Sequence, residues 1–171
     1  MMSNSSRVEG RLDGPGAPAI DDIDRRLLRL LQQDARTSVA DLARTVNVSR
    51  ANAYTRLERL TASGVISGYE VRVEPRKVGL GVAALIFVTA DQSKWRQLWT
   101  RLQTIPEVQF IGLATGDFDV VVLVRAPTTE TLRDVVLERL HSLPEVRGTR
   151  TMLLLEDLER VPAIPDGVRR R

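Results

Sequence analysis

The apolar positions of the first third of the chain repeat with helical spacing. Ile20, Ile23, Leu27, Leu30 and Leu31 fall on one face, and Asp21, Asp22 and Asp24 crowd the first turn, where negative charge favours a helix start. A helix is predicted from residue 20 to about Gln33. A second opens at Ser38, a capping residue with Asp41 three positions on, and buries Val39, Leu42, Ala43 and Val46. Asn47 follows, a residue that tolerates the left-handed backbone of a tight turn. Ser49 caps a third helix over residues 50–62, with Ala53, Leu57 and Leu60 inward and Ser63-Gly64 at its end. Val65, Tyr69, Val71 and Val73 then alternate around Gly68 and predict a short hairpin or wing.

The second half repeats itself. Arg101-Leu102-Gln103-Thr104-Ile105-Pro106-Glu107-Val108 is echoed by Arg139-Leu140-His141-Ser142-Leu143-Pro144-Glu145-Val146, and the same offset aligns strand-like residues 82–88 with 120–126. Each copy is a strand, a helix, a Pro-marked turn and a second strand. Two such units in tandem make the ferredoxin-like βαββαβ sandwich. Its helices, over about residues 93–104 and 128–142, bury Trp95, Leu98, Trp99 and Leu102, and Leu132, Val135, Val136 and Leu140. Residues 82–88, 120–124 and 152–155 are apolar on both faces, although helices cover only one. The other face therefore calls for a second copy of the chain, giving at least a homodimer.

The fold class is thus α+β, a winged helix-turn-helix followed by a ferredoxin-like domain. Residues 1–19, rich in Ser, Gly and Pro, form a disordered tail; 20–74 form the helical domain; 75–81 are a linker; 82–160 form the repeat domain; 161–171 are a second tail.

Composition narrows the chemistry. The chain is 43% apolar and 27% charged, ordinary for a soluble globular protein. It carries no apolar run long enough for a membrane helix and no apolar secretory core near residue 1, so no membrane partner is expected. Absence of cysteine removes disulfides and thiolate metal sites and suits a cytoplasmic protein. His141 is the sole histidine, which leaves little for a metal site or a catalytic relay, and no Gly-rich phosphate loop is evident. No enzyme activity, metal or cofactor is expected.

Net charge is only +3, but residues 36–59 hold five arginines against Asp41 and Glu58. A basic segment on a helix-turn-helix is the electrostatic footprint of a double-stranded DNA reader. Ser38 and Ser49 stand at the helix starts; Arg50, Ala51, Tyr54 and Thr55 face outward on the third helix, with Asn52 at the margin. Arginine pairs with guanine edges and asparagine with adenine. Arg56 and Arg59 are placed to hold phosphates, which set register and affinity. A three-helix bundle that makes only protein contacts is the alternative on spacing alone.

These pieces, in order, resemble the Lrp/AsnC (feast/famine) transcription regulators. The resemblance lies in Asp21-Asp22-Ile23-Asp24 with Leu27-Leu28, Asp34-Ala35-Arg36, Asp41-Leu42-Ala43, and Ser49 with Ala53, Arg56, Leu57 and Leu60. It continues through Gly64-Val65-Ile66-Ser67-Gly68-Tyr69 to Gly116-Asp117-Phe118-Asp119, which looks like the family's RAM sensor domain. It implies dimers formed through the sensor sheet, often assembled into octamers or related rings, and a small effector, frequently an amino acid, bound between dimers. Two departures stand out: Asn47 replaces the usual turn glycine, and the frequent proline near the start of the reading helix is missing.

The effector expectation falls on the loop Thr115-Gly116-Asp117-Phe118-Asp119. Gly116 allows close backbone approach to a carboxylate, and Asp117 or Asp119 would hold an α-ammonium group. The resemblance adds Thr149 and Thr151 on the last strand. An ordinary hairpin turn, with Asp119 satisfying its own amides, is the competing reading. Two alternative functions remain: an AsnC-like enzyme of the sirohaem decarboxylase type, which the single His141 argues against, and a sensor or assembly module that no longer reads DNA.

Overall fold

Three short helices open the fold, each started by the cap its sequence supplies. The computed structural model describes residues 20–165; the tail assigned to residues 1–19 lies outside the described residues, as do 166–171. Helix α1 (Asp22–Gln33) begins in a capping box made of two aspartates. The Asp24 amide donates to the Asp21 carboxylate at 2.8 Å, and the Asp21 amide donates to the Asp24 carboxylate at 3.0 Å. Helix α2 (Val39–Val46) starts at Ser38, whose hydroxyl oxygen accepts from the Asp41 amide at 3.2 Å. Asn47 ends it with φ +63° and ψ +52°, in the left-handed region. Helix α3 (Arg50–Ala62) starts at Ser49, which accepts from the Asn52 amide at 3.1 Å. Leu27, Leu42 and Val46 close a small core, with Ile23, Leu30, Leu31, Val48 and Leu57 around it.

The predicted hairpin or wing is not formed. Residues 67–74 form neither strand nor helix, and Val71 is 87% exposed. The alternation is present, yet the chain provides no second run to pair with: Pro75, without an N–H, opens a 3₁₀ turn over Pro75–Val78. The division between units also falls earlier than expected, between Glu70 and Val71.

The second tail needs a correction as well. Residues 160–165 adopt no helix or strand, but they belong to the helical unit. Side chains on one face of α1 donate to their carbonyls: Gln32 to Pro162 at 3.1 Å, Arg29 to Ile164 at 3.2 Å and Arg25 to Pro165 at 3.3 Å. Spacing of three and four residues puts these donors in one row.

The unit Val71–Glu159 holds a four-stranded antiparallel sheet in the order β2-β3-β1-β4. Its strands are β1 (Val82–Ala90), β2 (Val108–Leu113), β3 (Val120–Ala126) and β4 (Val146–Leu154). Helix α4 (Trp95–Leu102) follows β1; α5 (Thr129–Asp134) follows β3 and widens into π-helical turns over Val135–Leu140. This is the βαββαβ arrangement that the repeat predicts. Ala84, Ile86 and Val88 of β1 and Val120, Val122 and Val124 of β3 pack against Leu98, Leu102, Leu132 and Leu140. Trp95 departs from its expected burial: it is 39% exposed, with the Arg96 guanidinium 5.0 Å from its ring centre.

The repeat also exchanges ion pairs. Arg101 of the first copy meets the buried Glu145 of the second at 3.3 Å, and the equivalent Arg139 meets Glu107 at 2.5 Å. Each Pro-Glu turn is thereby tied to the other copy's helix. Across the described residues, no helix is long and apolar enough to cross a membrane.

Candidate nucleic-acid interface and effector loop

On α3 the inner stripe is Ala53 and Leu60, fully buried, with Leu57 partly so. Everything expected to read bases lies outside that stripe. Arg50, Ala51, Asn52, Tyr54 and Thr55 are all exposed, Tyr54 by 56%. The first turn of α3 contains no acid, so its amide-rich end faces solvent without local negative charge. Ser38 and Ser49 are spent on the caps, which leaves them the task of setting where α2 and α3 begin.

Arg56 and Arg59, expected to hold phosphates, are both ion-paired to Asp24, a residue of α1 with no exposed surface, while 47% of the Arg59 side chain remains exposed. Arg56 Nη1 donates to Asp24 at 2.8 Å and to Asp21 at 2.6 Å; Arg59 Nη2 donates to the other oxygen of Asp24 at 2.5 Å. The Arg56 side chain is only 20% exposed, and its Nε donates to the Asn52 amide oxygen at 2.8 Å. A shallow cleft of about 310 Å³ is lined by Asp21, Asp24, Asn52, Thr55, Arg56 and Arg59.

Burial pushes the Asp24 carboxyl up, but the Asp21 amide and the two guanidinium groups outweigh it and hold the group below the usual range. The Asp21 and Asp24 carboxylates push Arg56 further up. Sequence reasoning passes over Asp24 as a helix-start charge. The missed signal is its place inside an apolar stripe, between Ile23 and Leu27, where an acid needs a buried partner.

In the sheet unit, the loop 114–119 joins β2 to β3. The Ala114 amide donates to the Asp119 carbonyl at 2.9 Å, and the Asp119 amide donates to the Val88 carbonyl at 3.0 Å. Gly116 has φ +111°, with open space where a Cβ would stand. Thr115, Gly116 and Asp117 are exposed.

Asp119 is not available as an open ammonium partner. Its carboxylate accepts from the Ala90 amide at 2.8 Å and from Gln92 at 2.9 Å, and these bonds, the Ala90 amide foremost, lower its pKa. Thr149 Oγ1 lies 2.7 Å from a ring nitrogen of His141, and Thr151 is exposed. Val88 pairs with Val120 on one side and Thr149 on the other, so both threonines stand across β1 from the loop.

Phe118 leaves this loop for the sheet face that carries no helix. Its ring centre is 5.3 Å from that of Phe87, and Arg150 stacks over it at 5.4 Å. Leu85, Phe87, Val121 and Leu123 line that face, half-buried, with Phe110 and Met152 exposed at 54% and 51%.

Comparison with known proteins agrees with both halves. The AsnC-type helix-turn-helix domain matches residues 20–61, and the Lrp/AsnC ligand binding domain matches residues 83–164. The transcriptional regulator AldR of Mycolicibacterium smegmatis is 36% identical over 166 residues, covering 92% of this chain and 96% of its own. The structure of AsnC from E. coli superposes with a TM-score of 0.80 at 25% identity, covering 85% of this chain and 99% of AsnC. An L-Met complex of a transcriptional regulator from Neisseria meningitidis shares the fold, with a TM-score of 0.79 at 23% identity over 86% of this chain and 97% of that one. Two domains in this order, each matching its counterpart, show that the chain belongs to the Lrp/AsnC family of transcriptional regulators.

Proposed function

We propose that this chain reads specific DNA sequences through α3, assembles through the helix-free face of its sheet, and changes assembly or DNA affinity when a small effector binds. The observation that carries the DNA reading is the outer surface of α3. Arg50, Asn52, Tyr54 and Thr55 stand exposed on a helix whose start is fixed by Ser49 and whose inner stripe is buried. N-terminal residues of a reading helix are the ones that meet base edges in the major groove.

The assembly rests on Leu85, Phe87, Val121, Leu123, Phe110 and Met152, an apolar face that a second copy would cover. We assign at least a homodimer; an octamer of such dimers is the larger form that the family resemblance suggests.

The effector we infer is an amino acid, supported by the L-Met carried by the Neisseria meningitidis relative. Its contacts would be Thr115, Gly116 and Asp117, with Thr149 and Thr151 as further candidates. Asp119 would act by holding the loop rather than by touching the ligand. Relatives named as transcriptional regulators speak against the decarboxylase reading.

Genome-wide occupancy of the protein in cells, with and without added amino acids, tests the proposal. The expected result is a limited set of sites whose occupancy shifts with at least one amino acid. Occupancy that is uniform along the genome would remove the DNA reading. Occupancy that is specific but indifferent to every amino acid would remove the effector.

A further inference from the structure

The inner end of the reading surface is a relay of three residues. Asp24 is fully buried, and its two oxygens are taken by the Asp21 amide, Arg59 and Arg56. Arg56 is clamped between Asp24 and Asp21 and passes a third bond, from Nε, to the Asn52 amide oxygen one turn earlier on α3.

A guanidinium carries donors only, so the amide oxygen of Asn52 must face it and the NH₂ group must face away. Asparagine in water turns either edge to a partner; here one orientation is selected before any DNA arrives. Asn52 itself is exposed, third from the start of α3.

We propose that Arg56 is a positioning residue, held by Asp24 and Asp21, that fixes the Asn52 amide so that its NH₂ group reads an acceptor on a base edge. This rests on the DNA-reading function proposed above and refines it. For Arg56 to swing out to a phosphate it would have to leave the two charge-assisted bonds of Nη1 and deprive a buried carboxylate of a partner. For Asn52, a fixed donor matches N7 or O6 of guanine, N7 of adenine and O4 of thymine. It opposes the N4 amino group of cytosine. One position of the operator is therefore closed to cytosine, and its discrimination depends on a residue that does not touch it. Preorganisation also spares Asn52 the ordering that a free side chain undergoes on binding.

Selection of duplexes from a random-sequence pool by the full chain tests this. It is paired with salt titrations on a fixed random-sequence duplex. The variants are Asn52→Ala, Arg56→Lys and Arg56→Ala. Arg56→Lys keeps a cation for Asp24 and so guards against misfolding, but a lysine lacks the planar fork that serves two carboxylates and Asn52 at once.

The wild-type chain is expected to enrich a motif with one position that excludes cytosine. Asn52→Ala and Arg56→Lys should both lose about tenfold discrimination at that same position. For Arg56→Lys, affinity for the random duplex and its salt slope should stay at the wild-type values. The proposal is overturned if Arg56→Lys retains the full motif while Arg56→Ala weakens all duplexes alike and lowers the salt slope by about 1, the signature of a phosphate contact. It is also overturned if Asn52→Ala leaves the motif unchanged. Should the wild-type chain enrich no sequence, the DNA-reading function itself would fail and this inference with it.

Discussion

Asp24 is the residue on which the helical unit turns. A carboxylate with no exposed surface is stable only because its oxygens meet an amide and two guanidinium groups. Removing it leaves Arg56 and Arg59 facing each other without the charge that joins them. Asp24→Ala is expected to lower the unfolding free energy by about 2–4 kcal/mol in urea denaturation, since both arginines retain some access to water.

The same residue sets an acid limit. Its folded pKa is depressed, so its stabilisation is complete above the unfolded carboxylate value and is lost as pH falls through the folded one. Thermal melts followed from pH 6 downward should show the wild type losing stability below about pH 4. Asp24→Asn should start less stable and lose less over that window. Parallel losses in the two proteins would mean that other carboxylates carry the effect.

At the scale of the element, the turn between α2 and α3 makes a sharper test. Asn47 is the sole non-glycine with positive φ among the described residues. It satisfies the geometry without being the residue best suited to it. Asn47→Gly should therefore leave stability within about 0.5 kcal/mol of wild type, while Asn47→Val should cost about 1–2 kcal/mol, read from melting temperature.

This turn also illustrates what the sequence makes legible. Caps, inner stripes and the Pro-Glu repeat are local signals, so α1, α2, α3 and the βαββαβ order follow from them. The missing hairpin at 65–74, the exposed Trp95 and the docked residues 160–165 do not. Each depends on what lies opposite in space. The candidate site divides in the same way. Exposure of Arg50, Asn52 and Tyr54 follows from helical phase, whereas the inward turn of Arg56 depends on aspartates 32 and 35 positions away. Likewise, the commitment of Asp119 depends on Ala90 and Gln92 of a different element.

For the whole molecule, the bare sheet face carries the expectation of assembly. Leu123 sits at its centre, opposite Leu85 on β1 and Phe110 on β2. A charge there should not disturb the helix-covered core on the other face, yet it would be desolvated by a second copy. Leu123→Glu is expected to convert a dimer or larger assembly to monomers in light scattering, with the helical and sheet content unchanged by circular dichroism. Wild-type protein that is monomeric at micromolar concentration would contradict the assembly.

An assembly brings several copies of α3 to one duplex, so the preferred sites should be long and repeated or pseudo-palindromic. The most direct measurement is recovery of fragments from a sheared genomic library by the purified full chain, with the recovered fragments sequenced. The account predicts a small set sharing a repeated motif, bound about 10³-fold more tightly than a scrambled duplex at the same salt concentration. Fragments recovered simply in proportion to their abundance, with no shared motif, would contradict it.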